Sequence, residues 1–437
     1  MNDSASFDFN ERPEVKAELT FATDPYIVDS TIRSLQSGVS GSCHTARDLV
    51  DIGAALDELG VRELIVNLSW KDGMAVCEGL AKRGVAAKIV GTFRARHPMA
   101  PEWARSGIDA GADEICFESA QDADQLKRLA GPVLAAGRKV SHGFAEAYAY
   151  DEVIAICRAG LALDVQSQSF HDSYFRFALT PEAAKAFYRS VRRDVANAPP
   201  LYVHLSNFYG NATMTAVAAL AAGASAADVC MNGIGHHCGH ISLAEIVMVL
   251  EALYGEKTGI RLDKLVEVSH LVRERSAVPM PLPSPMIGDF AFMIDGAYWA
   301  AEAHIPYEQR IHAKFPIAPN IVGNVEQVIW ASGTITAASV RAKLGVMGIA
   351  QELYSNDVVE RIIEGLEVTL RQRSRYPSWL SDNEFEQLCR DVVRLHGSVQ
   401  VTAKSSPVVA SAATAAATGT EPAKRKAARA AAPHDPS

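Results

Sequence analysis

Between residues 26 and about 254 the chain alternates short runs rich in β-branched residues with helix-patterned stretches, and eight such pairs can be counted. This alternation constrains the fold more than any other feature, because strands joined through helices pair in parallel, with crossovers of one hand. Strands are expected at "YIVDSTIR", "ELIVNLS", "AKIVGTF", "DEICFES", "KVSHGFA", "LALDVQSQS", "PLYVHLSN" and "ADVCMNG". Helical patterns follow them, from "ARDLVDIGAALDELG" after the first to "SLAEIVMVLEALYG" after the eighth. Several helices close on a glycine directly ahead of the next strand, the C-cap that such a turn requires. Eight consecutive units predict an α/β fold, a (β/α)8 TIM barrel, more readily than an open sheet.

A barrel directs attention to the C-terminal strand ends and the loops after them, where side chains converge on a shared mouth. By that rule the candidates are Arg33, Asn67, Arg94, Glu118, His142, Gln166, Gln168, His204, Ser206, Asn207 and the loop "GIGHHCGH" at 233–240. Arg33 could hold a substrate anion or merely pair with Asp29 or Glu118; as a strand-end residue it is expected to add little to the barrel core. His204 can be a ligand or a hydrogen-bonded interior histidine. Three histidines and a cysteine in "GHHCGH" match no fixed zinc spacing, so the loop can equally be a polar connection. As a dinucleotide motif "GIGHHCG" has the wrong spacing and no acidic ribose partner.

The rest of the chain divides by composition. Residues 1–23 form a polar, acidic extension, 24–275 the barrel, 276–399 a post-barrel region and 400–437 a tail. The post-barrel region opens on the proline-rich "SAVPMPLPSPMIGDFAF". Its helices "SNDVVERIIEGLEVTLRQRS" and "SDNEFEQLCRDVVRLH" each begin with a Ser/Asp-type cap. The Ala/Lys-rich tail cannot build a core and is expected to be disordered. Its five cations against two anions give +3, and subtracting that from the formal −9 leaves −12 on residues 1–399. Such an acidic body has no nucleic-acid footprint. Seven scattered cysteines with no CxxC pair point to reduced thiols. With no 18-residue apolar run and no basic leader, the expectation is a cytoplasmic protein without a membrane span.

The order of these features resembles the pyruvate-carboxyltransferase-like barrels, the superfamily of 2-isopropylmalate synthase, homocitrate synthase and HMG-CoA lyase. "VDSTIR" is similar to their first-strand signature "DTTLRDGEQ", and "VHLSNFYGNATMTAVAALAAGASAADVCMNGIG" to "HxHNDxGxAxANxxAAxxAGAxxVxxTxxGIG". "HHCGHISLAEIVMVLEALYG" continues like "ERAGNxxLEEVVxxL", and "TGIRLDKLVEVSHLVRE", "PMIGDFAF", "PYEQRIHAKFPIAPNIVG" and "ASGTITAASVRAKLG" resemble the synthase branch. The likeness runs from about 24 to 395. The allosteric domain of leucine-pathway synthases is not matched, so homocitrate synthase is the nearer size. The resemblance implies a divalent metal, held by an aspartate after the arginine and by the two histidines of "HxH", that grips a 2-oxo acid while an acyl-CoA enolate adds to it. It also implies an arginine that neutralises oxyanion charge and a homodimer whose post-barrel segment covers the partner's barrel mouth.

At the site the sequence departs from that pattern. Ser34 stands where the metal aspartate belongs, and Ser206 where the second histidine belongs. His240 replaces an asparagine, and His236, His237 and Cys238 replace "ERA". The acidic-basic "EDAxR" becomes "FAEAYAY", with Glu146 its only charge, and Tyr298 is the nearest candidate for the synthases' post-barrel "HxSGIH". Carried over residue by residue, the catalytic candidates are Arg33, His142, Glu118 and Tyr298. Substrate contacts are assigned to Asp29, Arg94, Ser206 and Asn207. His204 and His240 remain as metal ligands, for zinc or iron rather than magnesium or manganese. Three functions follow as expectations: first a rebuilt Claisen- or aldol-type enzyme acting on a small 2-oxo acid or related carboxylate with acyl-CoA. The others are a catalytically silent barrel serving as a partner or regulatory subunit, and a metal-independent isomerase or decarboxylase using enolate chemistry. The first is preferred because the mouth has gained titratable groups rather than apolar filler.

Overall fold

The computed structural model describes residues 10, 12–17, 21, 25–38, 41–42, 44–373 and 378–396. The tail from 400 and most of the 1–23 extension lie outside them. Eight parallel strands close into a barrel in sequence order. They are β1 (Tyr26–Asp29), β2 (Glu63–Asn67), β3 (Lys88–Arg94), β4 (Glu114–Glu118), β5 (Lys139–Phe144), β6 (Gln168–His171), β7 (Leu201–His204) and β8 (Ala226–Val229). Closure is the pairing of β1 with β8, Val28 opposite Asp228. The TIM barrel expected from the alternation is the fold observed.

Strand alternation sorts the side chains into two environments. Outward residues such as Ile115, Phe117, Val140, Phe144, Phe170 and Val203 join the main core under the helices. Inward residues line a narrow, polar lumen holding Arg33, Glu63, Thr92, Glu114, Glu118, Ser141, Ser169, His171 and Asp228, with only about 20 Å³ of free space. That is room for about one water.

Two strand expectations move. The run "YIVDSTIR" is not one strand: β1 stops at Asp29, and Thr31–Gln36 is a helix. Asp29 accepts the Thr31 N–H at 2.7 Å and the Thr31 hydroxyl at 3.0 Å, a local turn that ends the strand. "LALDVQSQS" is also displaced, because the preceding helix runs on through Tyr150–Ala162 and the strand begins at Gln168.

After the barrel, the proline-rich strap leads to a second unit with its own core around Trp330, Leu344, Ile362, Leu366 and Phe385. The capped helices are present as Asn356–Gln372, where the Ser355 side chain accepts from Val358, and Asp382–His396. The unit also contains a three-stranded sheet, β9 (Met293–Asp295), β10 (Gln327–Trp330) and β11 (Leu380–Ser381), in the order β11-β10-β9. The helical module expected after the barrel is observed, with this small sheet added to it: the strands are two to four residues long, too short for an alternation to show.

Candidate active site at the C-terminal end of the barrel

The turn after β1 carries Arg33 inward. Its Nη2 donates to Glu118 Oε1 on β4 at 3.0 Å, and both side chains are at least nine-tenths buried. Of the two partners the sequence left open, Glu118 is the one used. Burial opposes the Arg33 charge, but Glu118 and Asp228 outweigh it and hold the guanidinium protonated. Burial likewise works to raise the Glu118 carboxyl, yet Arg33 and Arg94 keep it below its ordinary value. Thr92 donates to the same Glu118 oxygen at 3.0 Å, and Arg94 Nε stands 3.6 Å from the other. Arg33 Nε is buried with no hydrogen-bond partner.

Across the mouth three imidazoles stand in a column. The His204 ring lies 4.8 Å from that of His171 and 4.4 Å from that of His240. His204 Nδ1 is 3.1 Å from Asp228 Oδ2, close but not aligned as a hydrogen bond, so both Nδ1 and Asp228 Oδ1 lack a hydrogen-bond partner. His240 Nε2 accepts the backbone N–H of His236 at 3.2 Å. A neutral His240 therefore carries its proton on Nδ1, which is buried and unpartnered. Burial, then the charges of His204 and Arg33, push the His171 and His240 imidazoles well below their ordinary pKa, so both are neutral near pH 7.

Several expected residues are engaged elsewhere. Asp29 has both oxygens on Thr31, and burial pushes its carboxyl up to about 7 against those bonds. Arg94 donates to Ser119 Oγ at 2.9 Å and stands 3.8 Å from Glu146. Ser206 donates to the Asp172 carboxylate. The Asn207 backbone N–H donates to Gly239 O at 2.8 Å, tying the β7 and β8 loops together, while its side chain accepts from Ala212. Asn67 accepts from Ser69 at the end of β2, and Gln166 is half-buried, donating to the Asp164 carbonyl at 3.2 Å.

His142, Gln168 and Tyr298 do not join this cluster. His142 shares its strand face with Val140 and Phe144, packs edge-on to Phe144, and accepts the Ala120 N–H at 3.3 Å on the helix side of the sheet. Burial there pushes its pKa down to about 3. Gln168 likewise turns outward to the Ile156 carbonyl. Tyr298 lies in the post-barrel unit on the helix Gly296–Glu302, 65% exposed beside Lys314. What the sequence reading missed is the end of β6, His171 and Asp172. A strand assigned to Gln168–His171 would have placed His171 at a C-terminal end by the same rule that selected His204.

The metal implied by the resemblance does not fit these donors. Ser34 faces Cys230 Sγ at 3.3 Å and Ser206 is bonded to Asp172, so neither aims a free anionic oxygen into the site. Among the described residues no group of three or more His, Cys, Asp or Glu side chains is arranged to hold a metal ion. His204 and His240 come together, but as two rings without a third ligand, so no chemical step is drawn through a metal.

Beside His240 opens a cleft of about 610 Å³ between the β8 loop and the proline-rich strap, lined by Asn207, Asn232, His237, Cys238, Pro281 and Ser284 among others.

Comparison with known proteins agrees with this architecture. Residues 136–272 match the HMGL-like family. The chain is 27% identical to an (R)-citramalate synthase of Methanocaldococcus jannaschii, across 77% of this chain and 70% of that protein. It is 25% identical to a homocitrate synthase of Methanopyrus kandleri, across 88% of this chain and 96% of that one. In three dimensions it overlays the HMG-CoA lyase of Bacillus subtilis with a TM-score of 0.52 at 17% identity, covering 61% of this chain and 98% of the lyase, a likeness of fold. Residues 136–272, which include β5 through β8, are thus HMGL-like, and over most of its length the chain is similar to synthases of the pyruvate-carboxyltransferase superfamily.

Proposed function

We propose that the protein joins an acyl-CoA to a small 2-oxo acid by a Claisen-type condensation, in a site rebuilt around Arg33 and the histidine column. The observation that carries this reading is a pair of buried donors without partners, Arg33 Nε–H and His240 Nδ1–H, at the end of the barrel where side chains converge. Buried donors cost free energy unless an acceptor meets them, and a reacting carbonyl that gains negative charge is such an acceptor. The names of the relatives, citramalate and homocitrate synthases, support the same class of reaction.

In this reading the planar guanidinium, fixed on Glu118 by Nη2, offers its Nε edge to the substrate carboxylate or the forming alkoxide. His240 supplies the second donor. The neutral imidazole of His171 accepts the proton leaving the carbon next to the thioester. The carbanion adds to the 2-oxo carbon, the alkoxide rests on the two donors and takes up the proton held by His171, and water then hydrolyses the thioester to a carboxylate and the free CoA thiol. A homodimer in which the post-barrel unit covers the partner's mouth belongs to the same proposal; it would give the exposed Tyr298 and Tyr307 a covered surface.

The test is CoA release with a panel of 2-oxo acids and acyl-CoAs, followed as free thiol. Release should require both substrates, and no stoichiometric magnesium or manganese should copurify. If no 2-oxo acid or acyl-CoA shifts the melting temperature, the silent-barrel reading replaces this one.

A further inference from the structure

Three rings stand on three separate loops at the rim of the mouth: Phe177 after β6, Phe208 after β7 and His237 after β8. The centroids of Phe208 and His237 are 5.1 Å apart with planes at 34°, and Phe177 meets each of them edge-on at 5.5 Å. Apolar rings that have found one another normally lose their solvent contact. Here Phe177 and Phe208 remain 38% and 41% exposed, and the neighbouring Tyr209 is 74% exposed. Exposed apolar surface gathered into one patch, rather than scattered singly, is the kind that marks an interaction or ligand-binding site.

The backbone holds this arrangement at a cost. Arg176, Phe177 and His237 all have left-handed φ, at 52°, 59° and 57°. For a bulky side chain such a conformation costs about 1–3 kcal/mol and persists only when its surroundings impose it. They do so here. Phe177 N–H donates to Asp172 O at 2.9 Å, Asn207 N–H to Gly239 O at 2.8 Å, and Gly239 N–H to His236 O at 2.9 Å. The three loops are thus bonded to the same framework that holds Ser206 and His240, and the strain presents the rings outward.

The platform adjoins the reaction site. His237 lines the 610 Å³ cleft together with His240, and Phe177 lines a smaller recess with Asp172 and Ser206. Among the described residues no lysine or arginine lines that cleft, and the one carboxylate there, Glu245, accepts from the Thr213 hydroxyl. A ligand lying there is recognised by ring faces rather than by fixed charge.

We propose that Phe177, Phe208 and His237 form a stacking platform for a flat aromatic ring carried by one of the two reactants, either an aryl side chain on the 2-oxo acid or the purine of acyl-CoA. This rests on the condensation reading above and adds a substrate class to it. Each source makes a separate prediction. With an aryl 2-oxo acid, Phe208→Ala should raise the KM for phenylpyruvate about tenfold relative to pyruvate, the loss of one stacking face. With the purine, the same variant should raise the KM for acetyl-CoA about tenfold relative to acetyl-pantetheine. Phe208→Trp should restore whichever ratio moved. The platform is overturned if Phe208→Ala moves ring-bearing and ring-free substrates equally, or moves neither. It is also overturned if the variant only converts a dimer to a monomer in sedimentation, since the rings are then an interface between copies. Calorimetry with phenylpyruvate and with adenosine 3′,5′-bisphosphate separates this idea from the reaction itself. Binding that weakens in Phe208→Ala upholds the platform even when no condensation occurs, and binding of neither probe removes it.

Discussion

The two ends of the barrel lumen handle buried charge in opposite ways. At the N-terminal end Lys88 Nζ lies 2.9 Å from both Glu63 and Glu114, and Tyr202 donates to Glu63 at 2.9 Å. Tyr26 and Tyr202 share a 2.5 Å hydrogen bond, and Arg62 covers the Tyr26 ring at 4.7 Å. Only Glu114 Oε1 is left without a partner in that network. At the C-terminal end Arg33 Nε, His204 Nδ1, His240 Nδ1 and Asp228 Oδ1 are all buried and without hydrogen-bond partners. One end is closed on itself and the other keeps buried polar atoms unmatched, Arg33 Nε–H and His240 Nδ1–H as donors and Asp228 Oδ1 as an acceptor. In barrels of this kind the first pattern reads as stability and the second as function, and here both are present on the same eight strands.

The sharpest way to break the comparison is Arg33→Ala. Binding of a small 2-oxo acid should fall by about a hundredfold or more, because among the described residues no other buried guanidinium stands at the barrel mouth. The sequence alone suggested almost no effect on stability. With Arg33 buried against Glu118, a cost of about 1–2 kcal/mol is expected instead, limited because Arg94 and Thr92 still face the carboxylate. Arg33→Lys should recover part of the stability and little of the binding. Calorimetry and denaturant unfolding read the two quantities separately, and unfolding of Arg33→Ala at room temperature would mark the arginine as structural.

Lys88→Ala should do the reverse. Removing the one cation between Glu63 and Glu114 is expected to cost about 3 kcal/mol near neutral pH and to leave 2-oxo acid binding unchanged. The loss should shrink in acid, since burial and the neighbouring Glu114 already raise the Glu63 pKa. Equal losses of binding and stability in this variant would mean that the two ends are coupled.

A smaller effect belongs to His142, which sits outside the lumen. The folded protein holds it neutral, with a pKa of about 3, while the unfolded chain takes up a proton near the ordinary value. Acid therefore favours the unfolded chain, and stability should fall as pH drops below about 6.5 and continue falling toward 3. Between pH 6.5 and 5 this one group contributes a loss of about 2 kcal/mol. His142→Gln keeps an acceptor for the Ala120 N–H and should flatten that part of the pH profile without altering substrate binding. An unchanged slope would show that the ring is protonated in the folded state. The smallest change is expected from ending the chain at residue 399: a stability shift within about 0.5 kcal/mol and unaltered activity.

How far these residues were legible depends on how far apart they lie in sequence. Glu118, Arg94 and His204 were found because each ends a strand whose β-branched or aromatic run is unmistakable. His171 was missed because "QSFH" has little β-forming character, and the preceding "LALDV" looked like the better strand. His142 was expected among the catalytic residues, yet it falls in step with Val140 and Phe144, and period-two alternation sends it to the helix side with them. Thr31–Arg33 read as strand because Thr and Ile favour strands locally, yet Asp29 ends the strand and turns the chain into a helix.

What the order of residues determined without help is the barrel itself, since eight strand-helix alternations with glycine-closed turns are local patterns, each visible within about thirty residues. What it could not determine is which polar side chains meet. Arg33 finds Glu118 across 85 positions, and the histidine column is assembled from β6, β7 and the loop after β8. Those meetings depend on register between strands, such as His171 opposite His204, and on loop backbone that places Phe177 and His237 in left-handed conformations. Register and loop geometry are set by closure of the whole sheet, so the chemistry of the mouth is decided only when the barrel closes.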